Sequence, residues 1–566
     1  MDVGKSKMAF KLNLELILLL IFIPVFLHIS IANSWDNKLS HPFPYSYMAS
    51  DAFFHEASAQ YMKETGRIKY SAPYIYGGHE NVYEQHPVFL FELSSTFSIM
   101  SGLEVYDSIL LISVFAALMM ILISYAIIRQ ANQNIAMLAL PVALLIMKQG
   151  YNIWLYWGYW LFTTGVMCML ASLWAISKFE LKNSFLLIGL FLAGAAIAHV
   201  PEYVFAIGFM GLFFIALFAF KKELFKQNYK KFIYAGIISA VLAAYHLNIF
   251  RLSLFLSEGY RNVFDPVRLR GGLPELSIIS LGFVGLIAIV GLILFIFIKE
   301  KKKMMPAWIS LFTFILGLLV LIGMGKRSYT HRLFWFIYLS FFFGLGIYQL
   351  ISFVLKKYRN IASFAVALIF LVIFAQPLWG LDMGQGIMNQ YDWDALKWLS
   401  ENTPKGAFIY YFYAEPTTSN APVYNSKRIS LNVALDDFFK AIQSGKIQRN
   451  YKFRINKGLS TYVCSRGFLS YGYYKDAIKI NQSEECEAGY EILRAPPEDM
   501  TNRDICAIEY AYFGKVAQQP AIAQYNLAIR DILLKNEWIH EIYSNAAVSI
   551  LKNDKPGVDC FGAGNN

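Results

Sequence analysis

Between Ser50 and Pro87 the chain gathers side chains that can give up, accept or hold a proton. The stretch opens with Ser50-Asp51-Ala52-Phe53-Phe54-His55-Glu56. Asp51 and His55 stand one helical turn apart and project from the same face, with Glu56 beside them. Ser50 can cap this helix and Gly66 ends it. Gly77-Gly78-His79-Glu80-Asn81 and Tyr83-Glu84-Gln85-His86-Pro87 follow. A carboxylate here can take a proton from a hydroxyl directly, or hold a divalent cation such as Mg2+ or Mn2+ that does so. Asp51 lies in the first helical turn, where the dipole favours its charged form. His79, Glu80, Glu84 and His86 can complete a hydrogen-bonded or metal-binding set around it, but their spacing matches no fixed metal signature.

A second group of candidates is basic. The segment from Arg251 to Leu276 carries Arg251, Arg261, Arg268 and Arg270 beside Glu258 and Asp265, and Lys326-Arg327-Ser328-Tyr329-Thr330-His331-Arg332 is denser still. Arginine's planar fork binds phosphate in bidentate fashion, whereas lysine is a point charge. Arg268, Arg270, Arg327, His331 and Arg332 are therefore candidate phosphate ligands, set against the plainer reading of solvated arginines paired with their own acids. His199-Val200-Pro201-Glu202 reads as a tight turn that presents an imidazole and a carboxylate. Tyr245 and His246 stand at the end of a neighbouring apolar run. Trp154, Tyr156, Trp157, Tyr159 and Trp160 read most simply as an interfacial aromatic belt, or as the lining of a groove.

The elements that must position these groups are membrane spans. Of 566 residues 57% are hydrophobic and only 16% charged, well below the ~25% charged residues of soluble domains. Mean hydropathy is +0.42. The net charge of +11 does not point to nucleic acid, because the basic residues sit in short clusters between apolar runs, as topology signals do. Apolar runs at about 12–32, 106–128, 134–149, 155–177, 184–199, 201–220, 232–250, 277–298, 307–325, 333–355 and 361–380 give about eleven spans. Every second loop is lysine-rich: Lys178 and Lys182; Lys221, Lys222, Lys226, Lys230 and Lys231; Lys299, Lys301, Lys302 and Lys303; Lys356 and Lys357. The positive-inside rule then puts the N-terminus in the cytoplasm and the candidate residues above outside. The chain reads as an integral plasma-membrane protein, α-helical and polytopic over 1–381 with an outer loop at 33–105, and an extracytoplasmic α/β domain over 382–566. Charges within the runs are few, Glu15 and Asp107 among them, where a transporter usually carries ionisable relays.

The tail mixes helical and strand patterns. Asp392 can cap a helix through Leu399, Ala407 to Tyr413 alternates as a strand does, and Ala434 to Ile442 and Ala521 to Leu534 are helical. Four of the five cysteines, Cys464, Cys486, Cys506 and Cys560, lie here. An even number in an outside domain favours two disulfides in one of three pairings. Asn481-Gln482-Ser483 is a glycosylation sequon.

In order, these pieces resemble the C-type (GT-C) glycosyltransferases: a first span, an outside loop with Asp51 on a short helix, then His86-Pro87 leading through Phe89-Leu90-Phe91-Glu92-Leu93 to Gly102. The tail entry, Trp393-Asp394-Ala395-Leu396-Lys397-Trp398-Leu399-Ser400-Glu401-Asn402-Thr403-Pro404, resembles the start of the soluble domain in archaeal and bacterial members. Relatives include protein mannosyltransferases, aminoarabinose transferases and oligosaccharyltransferase catalytic subunits. The resemblance implies an inverting transferase of a hexosyl or pentosyl group, with a polyprenyl-phosphate-linked donor and a lipid, glycan or protein acceptor. It places catalysis at Asp51, with His55 and Glu56 as neighbours. The chain departs from oligosaccharyltransferases where they carry Trp-Trp-Asp-Tyr-Gly, having Tyr410-Tyr411-Phe412-Tyr413-Ala414, and it has no clear Asp-x-Asp in the first outer loop. The rival readings are a transporter or flippase of a lipid-linked or anionic solute, and a membrane receptor without catalysis.

Overall fold

The computed structural model describes residues 13–36, 38–68, 70–76, 84, 86–247, 278–298, 304–322, 329–381, 384–412, 422–455, 461–465, 490–494, 500–517 and 520–561. Each apolar run is carried by helix. In chain order the helices are α1 (Leu14–Trp35), α2 (Ser50–Thr65), α3 (Phe89–Ser101), α4 (Val105–Arg129), α5 (Gln133–Ala139, continued by a 3-10 segment to Met147), α6 (Ile153–Tyr156), α7 (Trp160–Ile176), α8 (Ser184–Ala198), α9 (Val200–Phe220), α10 (Lys222–Leu242), α11 (Gly282–Ile296), α12 (Met304–Leu318), α13 (Trp335–Tyr338), α14 (Ser340–Val354) and α15 (Arg359–Ala375). Among the described residues five helical stretches are long and apolar enough to cross a membrane, and five more are apolar over shorter lengths. Their outward faces carry Leu212, Ile215 and Phe218 on α9 and Ile369, Val372 and Ile373 on α15, all exposed. Apolar side chains turned outward along whole helices suit a hydrocarbon solvent and no aqueous one.

The charges inside these helices are paired. Glu15, in the first turn of α1, accepts a hydrogen bond from the Tyr125 hydroxyl at 2.7 Å and another from Arg129, both on α4. Asp107, fully buried, receives the His41 backbone N–H at 2.9 Å and stands 3.0 Å from the His41 ring nitrogen. The Tyr106 hydroxyl donates to the His41 carbonyl, and the Tyr47 hydroxyl to the Tyr106 carbonyl. This lattice ties the chain that leads into α2 onto the top of α4.

Beyond α15 the tail begins with α16 (Gln390–Asn402). Asn389, rather than Asp392, is its cap, accepting from the Asp392 N–H at 3.1 Å. Asp392 points inward instead, 3.4 Å from the Tyr512 hydroxyl. A seven-stranded sheet follows in the order β6-β3-β2-β1-β7-β9-β8, where β1 is Phe408–Tyr411, β2 Ile429–Val433, β3 Asn450–Ile455, β6 Met500–Asp504, β7 Tyr510–Gly514, β8 Ile539–Ser544 and β9 Val548–Asn553. β1 is parallel to both neighbours, and the outer pairs are antiparallel. β4 (Thr461–Ser465) and β5 (Tyr490–Arg494) make a separate pair. Helices α17 (Leu435–Ser444) and α18 (Pro520–Leu533) bury Phe438, Ala441, Ile522 and Ile529 with Phe412, Phe453 and Phe513 in a core of their own. Cys506 and Cys560 form a disulfide. The Cys464 side chain and all of Cys486 lie outside the described residues, as does the sequon at Asn481, while Cys168 is free and buried.

The tail is docked on the outer helix. Tyr47 accepts from the Ile387 N–H at 2.8 Å, Trp393 meets Tyr106 edge-on at 5.5 Å, Tyr424 faces Phe54 at 6.4 Å, and Lys427 pairs with Glu64 of α2.

Candidate functional site

Helix α2 starts one residue earlier than a Ser50 cap requires: Ala49 is the N-cap, without a side-chain bond, and Ser50 is already helical. Asp51 falls in the first turn and is exposed. The wall against it is the 151–160 segment. A Cβ added to Gly158 would lie 2.4 Å from the Ala52 nitrogen and 2.8 Å from the Asp51 carbonyl carbon, so two backbones meet there with room for glycine only.

One turn on, the shared face turns inward. His55 is buried among Phe54, Phe91, Trp160 and His86, with ring centroids 5.6 to 6.3 Å away. Its Nδ1 has no hydrogen-bond partner among the described residues. Burial, with His86 and His199 nearby, holds its pKa down at about 3, although a hydrogen bond to the Gly158 backbone works the other way. The ring is neutral across the physiological range. Glu56 is buried on another side of the helix, and loss of water pushes its carboxyl up to about 8. Asp51, His55 and Glu56 are thus adjacent in sequence but differ in state: one faces water, one is a neutral base and one a buried acid.

The loop beyond α2 adds Glu84 and His86. Glu84 accepts from the His86 N–H at 2.9 Å and from Ser71 at 2.8 Å, and lies 3.0 Å from the His86 ring. Burial would raise this carboxyl, but the bonds from His86 and Ser71 outweigh it and hold Glu84 below the usual range. His79, Glu80, Arg268, Arg270 and Arg327 lie outside the described residues.

His199, Glu202 and His331 are brought together, and not at the surface. Glu202 is wholly buried; one oxygen meets the His199 ring, and the other stands 3.3 Å from His331 Nε2. The expected solvated turn is corrected here, because the third partner arrives from a distant span. His331 is 0% exposed and its Nδ1 lies 3.3 Å from the Tyr338 hydroxyl, so both ring nitrogens face protein groups. Arg332, the next residue, is nine-tenths buried. Its guanidinium stacks over Trp335 at 5.0 Å, its Nε finds no hydrogen-bond partner, and it has no ion-pair partner among the described residues.

The aromatic segment joins the two halves. Trp154, Tyr156 and Trp160 are buried, so they form no lipid-facing belt. Their indole N–H groups donate to the Ile146 and Leu155 carbonyls. Trp160 packs on His55 and Tyr47, while Phe162 meets His331 at 5.2 Å. Tyr151, whose ring contacts Phe336 at 4.7 Å, bonds Ser280 beside Arg332. Sequence reading missed Gly158, Tyr151 and Tyr338, which carry no chemical signature of their own. No group of three or more His, Cys, Asp or Glu among the described residues is arranged to hold a metal ion.

The fold has solved counterparts. The archaeal oligosaccharyltransferase AglB from Archaeoglobus fulgidus, in complex with an inhibitory peptide and a dolichol-phosphate, is similar over 73% of this chain at 13% identity, with a TM-score of 0.53. The Archaeoglobus fulgidus oligosaccharyltransferase tethered to an acceptor peptide containing the NVT sequon matches over 74% at 14% identity and a TM-score of 0.50. ArnT from Cupriavidus metallidurans bound to undecaprenyl phosphate aligns over 77% of this chain and 92% of its own at 12% identity, but its TM-score of 0.48 is too low to carry an argument. The chain spans 63% and 64% of the length of the two oligosaccharyltransferase chains. No family model matches the sequence, and no curated protein matches it. At these identities the likeness establishes the fold, the GT-C fold that the loop motifs resemble.

Proposed function

We propose that this integral membrane protein is a glycosyltransferase that moves a hexosyl or pentosyl group from a polyprenyl-phosphate-linked donor to an acceptor at the outer face of the membrane. The observation that carries the reading is one wall with two unlike ends. On the GT-C fold, segment 151–162 has exposed Asp51 against Gly158, while Tyr151 lies near the buried Arg332, which has no acidic partner among the described residues. An exposed carboxylate and a buried guanidinium along one wall are the two kinds of group that transfer from a sugar phosphate uses.

In the step, Asp51 takes the acceptor hydroxyl proton as that oxygen attacks the anomeric carbon. The bond from that carbon to the phosphate oxygen breaks with inversion, and the lipid phosphate leaves with the electron pair. Arg332, with Arg268, Arg270 and Arg327 from the outer loops, stabilises the charge that gathers on it. His55 and Glu56 follow Asp51 on the same helix, and His86, held by Glu84, packs on Phe54 and His55. Among the described residues no group of three or more His, Cys, Asp or Glu is arranged to hold Mg2+ or Mn2+, and the step is written with the chain's own residues. Pairing of Glu15 with Arg129 supports transfer over transport, since it leaves that charge structural.

The acceptor is a lipid, glycan or protein, with membrane lipids around the spans. The protein resides in the plasma membrane with residues 1–381 as the spanning part, the N-terminus in the cytoplasm and the 382–566 domain outside. The Cys506–Cys560 disulfide supports an oxidising exterior for that domain. Purified protein incubated with a panel of polyprenyl-phosphate-linked sugars should release polyprenyl phosphate and transfer sugar from at least one. Neither binding nor turnover with any of them overturns the reading.

A further inference from the structure

The transfer step leaves His199, Glu202 and His331 unused. A carboxylate taken wholly out of water needs compensation, and here two imidazoles supply it: His199, at the joint between α8 and Glu202's own helix α9, and His331 from the turn before α13. A side chain at position 165 would come within 2.6 Å of His199 Cβ and 3.1 Å of Glu202 Oε2, so Gly165 leaves the space this triad fills. The His331 ring is further held by Phe162 and Phe205, each edge-on at 5.2 Å, and by Tyr338. Arg332 follows directly in the chain, over Trp335 and beside Gly317, where a Cβ would stand 3.3 Å from Arg332 Cγ.

We infer that the His199–Glu202–His331 triad is a positioning device for Arg332: by caging His331 it fixes the turn that presents the next residue's guanidinium. The inference rests on the phosphate-binding role given to Arg332 above. One Glu202 oxygen meets the His199 ring and the other stands 3.3 Å from His331 Nε2. A guanidinium on a turn that is already fixed gives up less freedom when it meets a phosphate. His331 is then a positioning residue and does not touch the donor.

The test is a double-mutant cycle on the full-length protein in detergent, reading the Kd for undecaprenyl phosphate. Arg332→Ala should raise Kd by ~10-fold or more. Glu202→Gln should raise it by ~3- to 10-fold while the melting transition remains cooperative, and the double variant should bind no worse than Arg332→Ala alone, because the two act through one contact. Parental binding by Glu202→Gln, or two effects that multiply in the double variant, overturns the inference. Parental binding by Arg332→Ala overturns the phosphate reading itself, so the two failures are distinct. Should Glu202→Gln not fold, Tyr338→Phe removes only a hydroxyl from the same chain of contacts. Its effect must likewise vanish in the Arg332→Ala background, and an effect that persists there counts against the triad.

Discussion

Helices α2 and α9 each carry an acid in the first turn, and the two acids live in opposite surroundings. Asp51 is exposed at the edge of a wall of backbone and aromatic rings; Glu202 is 0% exposed and meets an imidazole with each oxygen. Both positions favour negative charge through the helix dipole. What separates them is access to water. A carboxylate buried against two imidazoles can fix a structure, and one exposed to solvent can meet a substrate.

That contrast predicts unequal costs of substitution. Glu202→Leu leaves two buried imidazoles without their acid and should cost ~3 to 5 kcal/mol of stability, read as a large drop in melting temperature in detergent. A loss under ~1 kcal/mol would mean that the triad is not holding the helices together.

Glu56 gives a smaller, pH-dependent effect. Burial raises its pKa from 4.5 to about 8. The folded chain therefore keeps a proton that the unfolded chain releases, and stability falls as pH rises through that window. Glu56→Gln should flatten the fall by up to ~1.4 kcal/mol per pH unit. Unfolding midpoints measured between pH 5 and pH 8 check this, and an unchanged slope would show the carboxyl to be solvated. Asp51→Asn should be the mildest of the three for stability, changing it by less than ~1 kcal/mol, since the side chain is exposed.

Most of the fold was legible because its determinants are local. Among the described residues each apolar run from 12–32 to 361–380 is carried by helix, α2 ends at Gly66 and α17 at Gly445, α18 falls within a residue of the expected span, and β1 falls within two. Helix starts were less legible. Ala49 and Asn389 hold the cap positions expected of Ser50 and Asp392, since a capping side chain can sit on either side of a boundary that propensity alone does not mark.

The site was legible by residue type but not by surroundings. Asp51, His55 and Glu56 share one short helix, and nothing in their order shows that one of them is open to water and two are buried. His199-Val200-Pro201-Glu202 looked like a solvated turn because its third partner, His331, arrives from a distant span. Asp107 stood out as a charge in a span, yet its partner His41 is 66 residues away. The tryptophans of 154–160 looked like a belt because indoles suit an interface, but Trp154 and Trp160 have backbone carbonyls within reach and are buried on them.

The central claim is that Asp51 is the group that takes the acceptor's proton. It is tested most directly by single-turnover transfer from bound polyprenyl-phosphate-linked sugar, comparing the parent with Asp51→Asn under saturating acceptor. The account predicts a transfer rate ~100- to 10,000-fold lower, with donor affinity and melting temperature near the parent's. A well-folded Asp51→Asn protein that binds donor and transfers sugar at close to the parental rate would contradict it.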